Sequence, residues 1–193
     1  MFAILAGGRS RRMGRDKGGW GVQGEPLLVR TTRLALATGA GAAVIGREPP
    51  DWWPEEIDVE FVPDDTPGLG PAGGLLSGLR RFASPIILVA CDMPLIDRET
   101  LGWLAENLPA SAGRDGTALM NGSQPEPLLS LYTPHVLPLL EARVAAGRRS
   151  LWGLHEEGDF RGLPIPEEMA GRIVGANTPE EMERLLRSRA DPE

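Results

Sequence analysis

The chain has 193 residues, 41% of them hydrophobic, which suits a single domain with a sizeable buried core. Its net charge of −7 argues against a general nucleic-acid binder, which shows a basic excess, and no apolar run reaches the ~20 residues of a membrane span. The single cysteine, Cys91, excludes an internal disulfide, and the opening apolar stretch is too short and wrongly flanked for a signal peptide, so a cytoplasmic location is expected.

Met1–Leu5 is a short apolar run ended by Gly7 and Gly8 and reads as a buried strand entering a loop. Leu27–Thr38 has apolar residues at helical spacing and stops at Gly39. Ala42–Ile45 predicts a second strand, Pro49–Pro54 an irregular stretch or short helix, and Val59–Val62 a third strand ended by Pro63. Asp64–Pro71 is a loop, Ala72–Arg81 a helix despite its glycines, and Ile86–Ala90 a fully apolar fourth strand. Asp97 is an N-cap for a helix running to about Leu108. Thr117–Met120 and Leu128–Tyr132 predict strands joined through Asn121-Gly122. Pro134–Ala146 predicts a helix with Pro138 as a break or kink. Ser150 caps a short helix, and Thr178 caps a last one over Pro179–Ser188. Strands alternating with helices predict a three-layer α/β/α fold, with a mostly parallel twisted sheet and helices on both faces. In such a Rossmann-like sheet, ligands sit at the carboxyl ends of the strands.

The first of those ends is basic. Arg9, Arg11, Arg12, Arg15 and Lys17 put five positive charges into nine residues of an acidic chain. Two readings fit: a solvated charged loop, and a local site for an anion. Lys17 is also the only lysine, against 19 arginines. Its compact ammonium sets a point charge against one phosphate oxygen, where arginine offers a planar fork. Ala6, Gly7 and Gly8 let backbone N–H groups approach a phosphate or base closely. The loop is not a Walker motif, because no Gly-Lys-Ser/Thr follows Gly14.

The stretch LAGGRSRRMGRDKGG, Leu5–Gly19, resembles the signature LAGG-x-S-x-RMG-x-DK of the molybdenum cofactor guanylyltransferases. The resemblance implies a nucleotidyltransferase variant of the fold. It implies GTP contacts from Leu5, Ala6 and Gly7 at the guanine and ribose end, from Gly8, and from Lys17 at the phosphates. Arg12 and Arg15 are further phosphate candidates; which arginines of the loop point inward is not legible.

The segment from Asp64 to Gly74 contains a literal G-x-G-x-x-G, Gly68–Gly73, with Asp92 19 residues beyond. A dinucleotide fingerprint should follow the first strand of its unit, and this one follows the third. The segment instead resembles the family's D-x-x-PG-x-GP-x-AG, with Gly73 in place of the alanine, a change expected to matter little. That resemblance assigns nucleotide binding to Asp64, at the guanine or the ribose; the other reading is a turn residue capping an amide. Adjacent Asp65 has the wrong spacing for the motif.

Asp92 ends the apolar strand within Cys91-Asp92-Met93-Pro94. A carboxylate there suits Mg2+, which takes one or two carboxylates together with phosphates and water, and the segment resembles the family's metal motif; an ordinary turn aspartate is the alternative. Cys91 reads as a small buried residue rather than a nucleophile. Gly175-Ala176-Asn177-Thr178-Pro179-Glu180-Glu181 resembles N-x-N-TPEE, with Gly175 replacing the first asparagine. Gly46 likewise stands where such enzymes often carry asparagine. Gln124, Pro125 and Asn177 are the candidates for contact with the pterin substrate. His135 and His155 lack metal-ligand spacing. Arg148 and Arg149 either reach a substrate phosphate or are solvated.

The resemblance implies transfer of GMP from GTP to the terminal phosphate of molybdopterin, with Mg2+ as cofactor. Residues 1–95 would form the nucleotide half and 96–189 the pterin half of one domain, and molybdopterin-delivering and molybdoenzyme-maturation proteins are the expected transient partners. A transferase using CTP or making a nucleotide sugar, and a binding module without turnover, remain the alternatives.

Overall fold

Phe2–Leu5, buried along its length, forms the centre of a sheet in a computed structural model that describes residues 1–7, 16–22, 24–108 and 113–190, with side chains through 187. The elements in order are β1 (Phe2–Leu5), β2 (Gly21–Val22), β3 (Glu25–Pro26), α1 (Leu27–Leu36), β4 (Ala42–Ile45), β5 (Glu60–Val62), α2 (Pro71–Phe82), β6 (Ile86–Ala90) and α3 (Arg98–Asn107). There follow β7 (Gly116–Asn121), β8 (Gln124–Pro125), β9 (Leu131–Tyr132), α4 (Leu137–Ala145), α5 (Leu151–Glu157), β10 (Phe160–Pro164), α6 (Glu167–Ala170) and α7 (Pro179–Ala190).

The main sheet has the order β10-β7-β9-β6-β1-β4-β5, with β8 paired to β7. β1 runs parallel to β4 and β6, β4 to β5, and β7 to β10. Only β9 opposes β6 and β7 in this row, so two reversals bring β7 and β10 back into the direction of β6. The carboxyl ends of β1, β4, β5, β6, β7 and β10 therefore share one edge. β2 and β3 form a separate antiparallel hairpin.

Alternation along the strands builds two cores. Phe2, Ile4, Val44, Ile87 and Val89 face α1 and α3, where Leu28, Leu101 and Leu104 pack. Ala3, Leu5, Ile45, Ile86 and Leu88 face the other layer, with Leu75 and Leu79 of α2, Leu140 of α4 and Leu154 of α5. Burial on both faces explains why these strands read as continuous apolar runs rather than alternating ones. Each fully buried leucine stabilises by roughly 1.5–3 kcal/mol relative to exposure. A third small cluster, Val22, Leu27, Ala176 and Met182 with Trp20 and Leu185 against it, fastens α7 to the β2–β3 hairpin.

Two expectations from sequence give way. Leu128 and Leu129 are not strand but a 3-10 turn over Pro127–Leu129, and β9 begins only at Leu131. The Ser130 hydroxyl donates to the Glu126 carbonyl at 2.8 Å and accepts from the Leu119 amide at 3.1 Å, which holds that bend. Pro138 does not interrupt a helix. A 3-10 turn over Pro134–Val136 precedes α4, and Pro138 lies in its first turn, where a missing N–H costs nothing.

Candidate active site

Lys17 follows directly on a local cap. Asp16 accepts the Gly18 amide at 3.0 Å through Oδ1, closing a 3-10 turn over Lys17–Gly19. Gly18 is buried, and a Cβ there would stand 3.2 Å from Leu28 Cβ, so the turn lies flat on α1. The lysine ammonium then reaches Asp92 Oδ2 at 2.9 Å, the Ala176 carbonyl at 3.3 Å and Asn177 Oδ1 at 3.2 Å. An ammonium has three N–H donors, and here each finds an oxygen.

Asp92 stands just beyond the end of β6. The Cys91 amide donates to the Leu5 carbonyl at 3.3 Å, extending the β1–β6 ladder by one step. The Asp92 carbonyl accepts the Ala176 amide at 2.9 Å, which ties the segment before α7 to this corner. Asn177 is aimed by a reciprocal cap: the Glu181 amide donates to Thr178 Oγ1 at 3.1 Å, and Glu181 Oε2 accepts the Asn177 amide at 2.7 Å. Asp92 Oδ1 accepts no hydrogen bond among the described residues. It would stand 3.7 Å from a Cβ on Gly175, the position where an asparagine is missing.

Asp64 occupies a second corner, after β5. Its Oδ1 is buried and has no hydrogen-bond partner among the described residues. The carboxylate is wedged among glycines: ideal Cβ atoms would stand 3.5 Å from Oδ1 at Gly46, 3.6 Å from Oδ2 at Gly73 and 3.7 Å from Oδ1 at Gly74. Burial raises the Asp64 pKa above its ordinary value, and the neighbouring Asp65 carboxylate adds to the rise. Asp65 itself faces outward to Arg80, at 3.4 Å. The Asp64 site is therefore a narrow acceptor bounded by backbone. Gly46 has φ +92°, and a Cβ on it would come within 2.8 Å of Gly7 N and Cα. A side chain cannot be restored at position 46 without moving Gly7. The exchange at Gly73 is not neutral either, since a Cβ there would meet Leu69 Cβ at 2.9 Å.

Lys17, Asp92 and Asn177 thus meet at one point. Leu5, Ala6 and Gly7 line the same edge, where the Ala6 amide donates to the Ile45 carbonyl at 3.0 Å. Gly8, Arg12 and Arg15, with Arg9 and Arg11, lie outside the described residues. Gln124 and Pro125 form β8, paired with Asn121 and Met120 of β7 on the same sheet edge, but their hydrogen bonds do not join them to Lys17 or Asp92. Asn177, grouped with them from sequence, stands beside Lys17, its Oδ1 accepting the ammonium at 3.2 Å. Arg148 pairs with Glu157 at 2.6 Å, and Arg149 donates to the Gly68 carbonyl at 2.9 Å, bracing the loop after Asp64. Cys91 is buried, and burial pushes its thiol up to about 12, which suits packing and not nucleophilic attack. No cluster of three or more His, Cys, Asp or Glu suited to a metal occurs among the described residues. Mg2+ does not require one; a carboxylate such as that of Asp92, whose Oδ1 accepts no hydrogen bond among the described residues, is the kind of hard oxygen donor that ion takes. Sequence reasoning missed Asp16, Arg47 and the Ala176 carbonyl. The dipeptide Asp16-Lys17 before two glycines was a readable turn signal for the first.

The sequence pattern of the MobA-like NTP transferase domain matches residues 2–159. A probable molybdenum cofactor guanylyltransferase from Opitutus terrae is 33% identical, with 97% of this chain and 95% of the relative covered. A molybdenum cofactor guanylyltransferase from Pseudomonas putida is 34% identical over 93% of this chain and 94% of its own. The crystal structure of molybdopterin-guanine dinucleotide biosynthesis protein A from Archaeoglobus fulgidus shares the fold, with a TM-score of 0.76, 24% identity and 98% of each chain covered. The α/β fold, the corner built from Lys17 and Asp92, and these similarities along nearly the whole chain agree, and the chain belongs to the MobA-like NTP transferase family, with the molybdenum cofactor guanylyltransferases as its relatives.

Proposed function

We propose that the protein transfers GMP from GTP to the terminal phosphate of molybdopterin, or of its molybdenum-bearing form, releasing pyrophosphate and making the guanine dinucleotide cofactor. The observation that carries this reading is the three-oxygen grip on Lys17 beside Asp92. It presents a cation and an anion side by side where a triphosphate would enter.

The acceptor phosphate is already an anionic nucleophile, so the protein need not remove a proton. An oxygen of that phosphate forms a bond to the α-phosphorus of GTP as the bond to the β-phosphate oxygen breaks, and pyrophosphate leaves with the electron pair. The barrier is the approach of two electron-rich groups. Lys17 offsets that charge and steadies the departing pyrophosphate, and holding the groups in line supplies the rest. Asp92 would hold Mg2+, which when bound would neutralise triphosphate charge. Asp64, with its open acceptor, takes an N–H of guanine or a hydroxyl of ribose. Leu5, Ala6 and Gly7 close on the same end of the nucleotide. Gln124 and Pro125 lie toward the pterin. The reaction belongs to the cytoplasm, with transient contact to the proteins that deliver molybdopterin and mature molybdoenzymes.

Pyrophosphate release with molybdopterin and GTP, ATP or CTP in parallel tests the reading. GTP should be used at least about tenfold better than the others, a difference of ~1.4 kcal/mol. Asp92→Asn should bind GTP but lose most turnover. Equal use of all three nucleotides rejects guanylyl transfer, and nucleotide binding without pyrophosphate release identifies a binding module.

A further inference from the structure

We propose that Arg47 is a positioning residue for the transfer: through Asp16 it fixes the turn that aims Lys17. The proposal rests on Lys17 serving the reaction described above.

Asp16 works with both oxygens. Oδ1 caps the Gly18 amide at 3.0 Å, and Oδ2 takes the Arg47 guanidinium at 2.6 Å. Arg47 is itself held, with Nε donating to the Glu48 carbonyl at 3.2 Å and the guanidinium over the Trp52 ring at 5.8 Å. Trp52 also touches the turn directly, since a Cβ on Gly19 would stand 3.4 Å from its ring. The Arg47–Asp16 pair is partly shielded, at 23% and 39% side-chain exposure. Arg47 follows Gly46, whose backbone abuts Gly7, so one short segment after β4 borders both the nucleotide loop and the lysine turn. The ammonium of Lys17 must satisfy three acceptors from a 3-10 turn of only three residues. A turn that short has little internal rigidity, and the Arg47–Asp16 clamp supplies it from outside. Displacing a catalytic group by about 1 Å can cost on the order of a hundredfold in rate.

Asp16→Asn separates the two duties of Asp16: the amide oxygen still caps Gly18, but the charge facing Arg47 is gone. The test compares the full chain with Arg47→Ala, Arg47→Lys, Asp16→Asn and the double variant Arg47→Ala with Asp16→Asn. The readouts are kcat and KM for GTP, melting temperature, and the rate at which an amine-directed reagent labels Lys17 in the absence of nucleotide. Because Lys17 is the only lysine, the N-terminal amine is the one other target and serves as internal reference. Arg47→Ala and Asp16→Asn should each lower kcat by about tenfold or more. Their melting temperatures should stay near the parent's, and Lys17 should label faster. The double variant should be no worse than the poorer single one, because both changes break one clamp, and Arg47→Lys should recover part of the rate. Multiplying losses in the double variant overturn the proposal, as does a raised KM with unchanged kcat and labelling, which would make Arg47 a direct nucleotide contact. If the parental chain releases no pyrophosphate from GTP, the functional reading fails, while the labelling comparison still decides whether Arg47 holds Lys17.

Discussion

Lys17 and Asp92 are 75 positions apart in the chain and meet in an ion pair of 2.9 Å. Both side chains are about one-fifth exposed. Pairs near the surface contribute only about 0–1 kcal/mol to stability, so the contact is worth more as an arrangement than as a fastening. In the proposed reaction each partner would meet a charge of the opposite sign: Lys17 a phosphate oxygen, Asp92 a cation.

The geometry makes Lys17→Arg an informative substitution. It preserves charge but cannot put one compact donor among Asp92 Oδ2, Ala176 O and Asn177 Oδ1. We expect most of the pyrophosphate release to be lost, on the order of a hundredfold, with a melting temperature close to the parent's. Lys17→Ala should lose at least as much. An arginine variant with parental turnover would return Lys17 to the status of a surface residue.

Asp64 carries a conflict between stability and binding. Its carboxylate is desolvated and left with an open oxygen, which burdens the fold in the absence of ligand. Asp64→Asn should raise the urea midpoint of the ligand-free protein while weakening GTP by at least about tenfold, ~1.4 kcal/mol. Titration calorimetry beside equilibrium unfolding reads both effects. Unchanged GTP affinity would assign Asp64 to the turn alone.

Restoring asparagine at position 46 should fail. The backbone there has φ +92°, and the new Cβ would fall 2.8 Å from Gly7 N and Cα. Left-handed backbone costs an L-residue roughly 1–2 kcal/mol, though asparagine bears it better than most. We expect Gly46→Asn to lower stability by at least about 1 kcal/mol and to bind GTP no more tightly. Tighter binding at parental stability would mean that Gly7 yields easily.

A partly buried histidine predicts a pH dependence away from the active corner. Tyr132 donates its hydroxyl proton to the Pro127 carbonyl at 2.9 Å, so His155 Nε2, 2.7 Å from the same oxygen, must be the donor to it. The other ring nitrogen, Nδ1, is then a buried acceptor with no partner among the described residues. Burial lowers the His155 pKa from 6.5 to about 4. Between those values the unfolded chain binds the extra proton and the folded chain resists it. Stability is whole above pH 6.5 and falls as the pH drops toward 4. His155→Gln, which keeps an N–H for Tyr132 but cannot titrate there, should flatten this slope in urea midpoints measured across the window. A slope equal to the parent's would reject the assignment.

The parts of the fold that were readable in advance are those where one physical signal dominates. Ile86–Ala90 is apolar throughout because it is buried on both faces, and Asp97, Ser150 and Thr178 announce helices through side-chain caps. β10 gave no such signal: Phe160–Pro164 is an outer strand that pairs only with β7, so it carries arginine, glycine and proline. Leu128 misled because an apolar run does not reveal that the Ser130 hydroxyl will compete for the Glu126 carbonyl. At the site, Lys17, Asp64 and Asp92 were marked by local motifs. Arg47 was not, because its meaning lies in a partner 31 positions away. The contact between Asn177 and Lys17 was not legible because nothing in the neighbourhood of Asn177 says that α7 folds back onto the β2–β3 hairpin.

That fold-back has a consequence for the order of synthesis. Lys17 leaves the ribosome 160 positions before Asn177, and 159 before the carbonyl of Ala176. A growing chain has Lys17 early, but two of the oxygens that hold it come last, with the helix whose Met182 packs on Val22 and Leu27. Until then, of its three acceptors among the described residues, Lys17 has Asp92 alone. The protein's earliest landmark is finished by nearly its latest, so an unfinished chain is denied the arrangement that its first twenty residues advertise.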